Sequence, residues 1–280
     1  MKKSWKVFWI VCAVLASLGI LLAAAGVALG GLSLLNSVED TGLFGRWLGQ
    51  AIGRGAAKDD SYVPGGPDGD MIISYDEISD ISLDVGGFGV CILPYDEEHV
   101  RTDISEIRPD LRDSVRISQD GSELEIEMKN NRWNTNGSGT LYISVPRGSY
   151  YDSVFADVGA GYLEIREISA ADLSLEVGAG QIIAEDITAE TAEIRCGAGQ
   201  IIFSGEVLKE AGIECDLGEI SYTASGTADS YDYELACSMG EIVLGGESYG
   251  GLTNEVSIDN ESSRLISADC DMGKIEIMFE

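Results

Sequence analysis

Apolar and polar residues alternate along the second half of this chain, and a glycine resets the alternation at regular intervals. The triplet Gly-Ala-Gly stands at 159–161, 178–180 and 197–199, a step of 19 residues, and Gly218 follows at the same step. Gly240 comes 22 residues later and Gly273 a further 33. Three positions before these glycines stand Val158, Val177, Cys196, Cys215, Cys237 and Cys270, and five before stand Ala156, Leu175, Ile194, Ile213, Leu235 and Ala268. Two positions after come Leu163, Ile182, Ile201, Ile220, Ile242 and Ile275, and four after come Ile165, Ala184, Phe203, Tyr222, Leu244 and Ile277. A period of two on each side of the glycine describes two short strands with a bend between them, one face of each turned inward. One such unit cannot bury its apolar face alone. Stacked in parallel at roughly 4.8 Å, successive units build a continuous core, so the pattern predicts an all-β parallel β-solenoid with repeats of about 19 residues. A mixed sandwich is the alternative, but it has no need of matching columns in successive repeats.

The first half carries a fainter copy. Leu83–Ile92 (LDVGGFGVCI) aligns with Leu175–Ala184 (LEVGAGQIIA), with Phe88 where the zero-position glycine would fall. The solenoid therefore begins near Ile72. Glu123–Met128 and Thr140–Val145 alternate well and read as two strands joined by a long polar loop, Lys129–Gly139, which holds Trp133. The 22- and 33-residue steps place extra residues in loops at Gly245–Gly251 and Asp259–Ser263. The last strand, Lys274–Glu280, reads as an edge blunted by its own charges.

Residues 1–35 have a different character. Lys2, Lys3 and Lys6 precede the apolar run Val7–Leu29, and no charge follows Lys6 until Glu39. As a helix that run is about 35 Å long, enough to cross a bilayer. The lysine cluster predicts a cytoplasmic N-terminus and an extracytoplasmic solenoid. A cleaved signal peptide is the alternative, with Ala23 and Ala25 as a small-residue cleavage site. Residues 36–70 form a juxtamembrane segment and linker. Leu43, Phe44, Trp47, Leu48, Ala51 and Ile52 share one helical face beside Arg46, Arg54 and Lys58, and the Pro/Gly-rich run Ser61–Asp70 leads into the acidic domain of residues 71–280.

Charge narrows the partners. The 280 residues carry 48 acidic against 18 basic side chains, a net −30, which repels nucleic acid and anionic lipid. The single histidine, His99, removes most catalytic triads and histidine metal sites. The Gly-Ala-Gly triplets recur as corners with no helix behind them, unlike phosphate-binding loops. Cys196, Cys215, Cys237 and Cys270 form one inward column, and a linear ladder of thiols does not converge as a metal site requires. No metal, no cofactor and no catalytic residue is therefore expected. Just after the zero glycine runs an outward column, Tyr162, Gln181, Gln200, Glu219, Glu241 and Lys274. Gln181 and Gln200 predict an amide ladder, and Glu219 stacked on Glu241 predicts an acidic pair. Together with Trp133 these four residues are the candidate binding surface. A glycan-cleaving β-helix using Glu219 and Glu241 is the enzymatic alternative.

The Lys-led apolar N-terminus, the Gly-Pro linker and repeats of the form LEVGAGQIIAEDI resemble a bacterial family of membrane-anchored "putative adhesin" β-strand-repeat proteins, a domain of unknown function common in Firmicutes. The resemblance covers nearly the whole chain. It implies a non-enzymatic, single-pass cell-surface binding module whose partner is a surface ligand or an envelope protein. Relatives that sit beside cell-envelope stress systems imply a second role, as an accessory or scaffold of envelope-stress signalling. The family supplies no catalytic motif.

Overall fold

A computed structural model describes residues 71–128, 139–250 and 254–280. The expected N-terminal span, the juxtamembrane segment and Trp133 lie outside the described residues. Among the described residues no helix is long and apolar enough to cross a membrane.

The described residues run through nineteen strands: β1 (Ile72–Tyr75), β2 (Asp80–Val85), β3 (Gly89–Tyr95), β4 (Val100–Asp103), β5 (Val115–Asp120), β6 (Glu123–Met128), β7 (Thr140–Pro146), β8 (Tyr150–Val158), β9 (Tyr162–Arg166) and β10 (Ser169–Val177), then β11 (Gln181–Cys196), β12 (Gln200–Cys215), β13 (Glu219–Ala224), β14 (Asp232–Cys237), β15 (Glu241–Leu244), β16 (Glu247–Gly250), β17 (Asn254–Ile258), β18 (Leu265–Cys270) and β19 (Lys274–Phe279). Each coil of the stack is a strand before the corner and a strand after it. Before the corner the order is β6-β2-β8-β10-β11-β12-β18-β14, all parallel. After it the order is β7-β3-β9-β11-β12-β13-β19-β15, again all parallel. The 16-residue strands β11 and β12 run through a second corner and so belong to both series.

That second corner recurs at the same period. Glu167, Asp186 and Gly205, 19 residues apart, all have positive φ, which turns the chain from one coil into the next. The alternation of apolar and polar residues does not reveal it, because the turn takes a single residue.

The predicted inward columns are the core. Val158, Val177, Cys196, Cys215, Cys270 and Cys237 are all buried, as are the isoleucines two positions after the corner glycines. Packing at the corner explains both the glycines and the cysteines. A Cβ on Gly240 would lie 2.6 Å from the carbonyl oxygen of Gly273, and a Cβ on Gly161, Gly180, Gly199, Gly218 or Gly273 would come nearer still to its neighbour's carbonyl. The same Cβ positions on Gly240 and Gly273 would lie 2.5 Å from the sulfurs of Cys270 and Cys215. The Cys196, Cys215 and Cys270 thiols each lean toward the corner of the adjoining coil and fill the space the glycine leaves, so the cysteine column is part of the packing.

The order of the stack departs from the order of the chain at both ends. The coil of Gly273 lies between those of Gly218 and Gly240, and the coil of Gly89 lies between β6/β7 and β8/β9. Glu123–Met128 and Thr140–Val145 are the two strands that the alternation predicts, and they form the two halves of one coil, each parallel to a different strand. Two other expectations are corrected. Lys274–Glu280 is not an edge, because β19 is paired on both sides, by β13 and β15. The extra residues near Gly245–Gly251 are not simply a loop, since β16 and β17 pair antiparallel with β15 and β14. The physical reason is edge protection: a stack in chain order would end on open parallel edges, whereas doubling back closes each end with antiparallel strands. At the opposite end β1, β4 and β5 do the same, and Ile107 and Leu111 are buried there.

The corner packing makes a graded prediction. Gly199→Ala should destabilise the fold by about 1–3 kcal/mol through overpacking. Gly212→Ala, whose nearest contact would be at 3.9 Å, should change it by less than about 0.5 kcal/mol. Urea unfolding of the two variants checks this, and equal midpoints would contradict the corner geometry.

Candidate functional surface

Outward side chains of the strands after the corner stand in register, one per coil. In spatial order the first column runs Tyr162, Gln181, Gln200, Glu219, Lys274, Glu241. The amide ladder is present: Gln181 Nε2 donates to Gln200 Oε1 at 2.6 Å, and Gln200 Nε2 reaches Glu219 Oε2 at 3.5 Å. Gln181 is buried between its neighbours, Gln200 and Glu219 are half-buried, and Glu241 is exposed. Four of the five candidate residues are thus brought into one column.

The stacked Glu219–Glu241 pair is corrected. Lys274 stands between them because its coil is inserted there. Its Nζ lies 2.7 Å from Glu276 and 3.9 Å from Glu219, while Glu241 accepts a hydrogen bond from Ser248 at 2.7 Å. A cation of the chain itself stands between the two carboxylates, so they are not neighbouring rungs of an acidic pair. Among the described residues no group of three or more His, Cys, Asp or Glu side chains is gathered around a common point for a metal.

The next outward column places Cys91 beside Glu164, and Arg166 Nε donates to Glu164 at 2.7 Å. Tyr162 donates to the same carboxylate at 3.0 Å. Burial, reinforced by Glu164, pushes the Cys91 thiol up to about 12, so this half-buried sulfur is held protonated. Within the thiol column, the hydrogen bond shared with Cys196 and then burial push Cys215 up, and burial pushes Cys270 to about 11.

The outer face of the strands before the corner is a ladder of carboxylates, Asp84, Asp157 and Glu176, then Arg195, Glu214 and Asp269. Arg195 bridges Glu193 and Glu214, both at 3.0 Å. Burial, then Asp84, holds the Asp157 carboxyl above its ordinary value. Burial, then Asp271 and Glu214, does the same to Asp269. The alternation marks the positions between the inward columns as polar and mostly acidic, Glu176, Glu193, Glu214 and Glu234 among them, and the structure sets Glu176 and Glu214 in one ladder. Their shared position, four before the corner glycine, was the signal.

The Toastrack DUF4097 family model matches residues 78–269, more than half of the chain. The chain belongs to that family. The Toastrack match runs from β2 into β18 and stops one residue short of Cys270, before β19. No curated protein matches the chain. Similar crystal structures include a "putative cell adhesion protein" from Clostridium sporogenes, 16% identical, covering 75% of this chain and 98% of that one at a TM-score of 0.44. A "putative adhesin" from Parabacteroides distasonis is 15% identical, covers 74% and 94%, and has a TM-score of 0.40. Another from Parabacteroides merdae is 14% identical with the same coverage and a TM-score of 0.39.

Two predictions follow from the ladders. Cysteine pairs Glu219→Cys/Lys274→Cys and Lys274→Cys/Glu241→Cys should both be linked by a short bis-maleimide. The pair Glu219→Cys/Glu241→Cys, two rungs apart, should react at least about tenfold more slowly. Efficient linking of that last pair would restore chain-order stacking. For pH, a carboxyl raised in the folded state binds its proton more tightly there than in the unfolded chain. Asp157 and Asp269 therefore add stability as pH falls through their folded values toward the unfolded one. Asp80, lowered by hydrogen bonds from Ser153 and then Ser79, has the opposite sign: its contribution is present above the unfolded value and is lost as pH falls through the folded one. Asp269→Asn should stabilise the fold at pH 7 by less than about 0.5 kcal/mol, read as a slight rise in melting point, and this gain should shrink on acidification.

Proposed function

We propose that this protein is a non-enzymatic binding module of the cell surface. In this reading residues 7–29 cross the membrane, the N-terminus is cytoplasmic and the solenoid is extracytoplasmic. The observation that carries it is the in-register outward column Gln181–Gln200–Glu219–Lys274–Glu241, whose backbone is fixed by strand pairing on both sides, parallel throughout except where β16 pairs antiparallel beside Glu241. A rigid sheet that offers one polar side chain every roughly 4.8 Å presents a periodic, pre-organised face, and little ordering entropy is lost when a partner docks on it. The Lys-led apolar run supports the anchor, and the net charge of −30 argues against nucleic acid as the partner.

A photo-crosslinking amino acid at Gln200 or Glu219, in intact cells, tests this. Capture of wall glycan or of material from outside the cell is the expected result. Capture of integral membrane proteins, above all a sensor kinase, would replace it with the envelope-stress scaffold role. Capture confined to cytosolic proteins would overturn the topology.

A further inference from the structure

The middle residue of each tight corner points away from the core. In stacking order this position is Ala160, Ala179, Ala198, Leu217, Met272 and Met239. The change from alanine to large apolar side chains occurs over three adjoining coils. Met272 N donates to Asp216 O at 2.7 Å, and Met239 N donates to Asp271 O at 2.6 Å, which fixes Leu217, Met272 and Met239 as consecutive rungs. Their exposures are 60, 51 and 63%, and Met239 and Leu217 are the two most exposed large apolar side chains of the described residues. At the spacing of neighbouring strands they form a ridge about 10 Å long. Scattered exposed hydrophobics need no explanation, but a contiguous run with a polar border marks a contact surface. Methionine, unbranched and polarisable, suits a surface that adapts to a partner.

The border is acidic on both sides. Glu214, Asp216, Asp269 and Asp271 flank the ridge on one side, and Glu219 and Glu241 on the other. The nearby cations are already engaged, Lys274 by Glu276 and Glu219, and Arg195 by Glu193 and Glu214. Such a border repels an anionic bilayer and nucleic acid and favours lysine or arginine.

We propose that the Leu217–Met272–Met239 ridge is a docking site for a basic segment of a partner protein, whose aliphatic side chains pack on the ridge while its lysines or arginines meet the flanking carboxylates. This rests on the binding-module reading and names the chemistry of one of its partners. Burial, then the like charges of Asp271 and Glu214, raise the Asp269 carboxyl, and a bound cation relieves the second of these causes.

The six methionines of the chain make the ridge observable. The full chain, with 13C-methyl methionine and in a nonionic detergent, is titrated with an acetylated, amidated peptide of alternating lysine and leucine, seven residues long. The expected result is saturable shifts of the Met239 and Met272 methyl signals, with the buried Met128 unmoved. Affinity should drop at least about tenfold in the Asp216→Asn/Asp271→Asn variant, and likewise for a lysine/serine peptide. Three results overturn the proposal: equal binding of a glutamate/leucine peptide, shifts of the same methyls by phosphatidylcholine vesicles alone, or no shift of either methyl. Leu217→Ser/Met239→Ser/Met272→Ser, made on exposed positions, separates the two readings. If it keeps the capture from Gln200 in cells although the ridge fails the titration, the binding module stands and the ridge proposal falls. Absence of surface capture even from the parent chain removes the module itself.

Discussion

The structure depends on one backbone contact, repeated at every turn. From the Gly161 coil to the Gly240 coil a glycine carbonyl accepts a hydrogen bond from the N–H of the residue after the next coil's glycine, as Gly180 does from Gln200 at 3.1 Å and Gly218 from Lys274 at 3.0 Å, and in the early coil Phe88 accepts in the same way from Tyr162 at 3.0 Å. That carbonyl occupies the space a side chain would need on the opposing glycine. The corner therefore fixes the distance between coils, and that distance fixes everything that stacks. Inside, it aligns thiol on thiol and isoleucine on isoleucine. Outside, it aligns amide on amide and carboxylate on carboxylate, with consequences of opposite sign: Gln181 satisfies its amide on Gln200, whereas Asp157 and Asp269 are raised by burial and then further by their carboxylate neighbours.

Much of this was legible in the sequence because period-two alternation and a fixed glycine step are direct imprints of strand geometry and coil pitch. The inward columns from Ala156 to Ile277, the early coil at Leu83–Ile92 and the contact of Gln181 with Gln200 are all as the pattern implies. The stacking order was not legible, and the reason is physical. Coils with the same apolar columns are nearly interchangeable as neighbours, so the pattern that predicts stacking carries no information on which coil adjoins which. The order is decided by how the edges are closed, through β16 and β17 at one end and β1, β4 and β5 at the other. The Glu219–Glu241 expectation failed for this reason alone: the residues sit in the column that was predicted, one rung further apart.

The candidate surface was legible to the same extent. Its residues were named from parity, and parity does set which side chains face out. Burial within that face is a further matter: Gln181 is covered by its neighbours while Glu241 is open. The apolar corner residues Leu217, Met239 and Met272 were readable as a column, but attention to alternation along strands passes over a position that belongs to the bend.

Interleaving at both ends changes what kind of repeat protein this is. An open solenoid can gain or lose a unit anywhere, since every unit meets only its sequence neighbours. Here that freedom is confined to the middle, from the Gly161 coil to the Gly218 coil, where succession along the chain and adjacency in space coincide. The outer coils are bound to partners distant in sequence, β2 to β8 and β12 to β18, and act as two fixed clasps. Lengthening by duplication within the central block would leave both clasps intact and extend the outward ladders by whole rungs. The reach of the surface could therefore be adjusted in the course of evolution without redesigning the ends that keep it from joining other sheets.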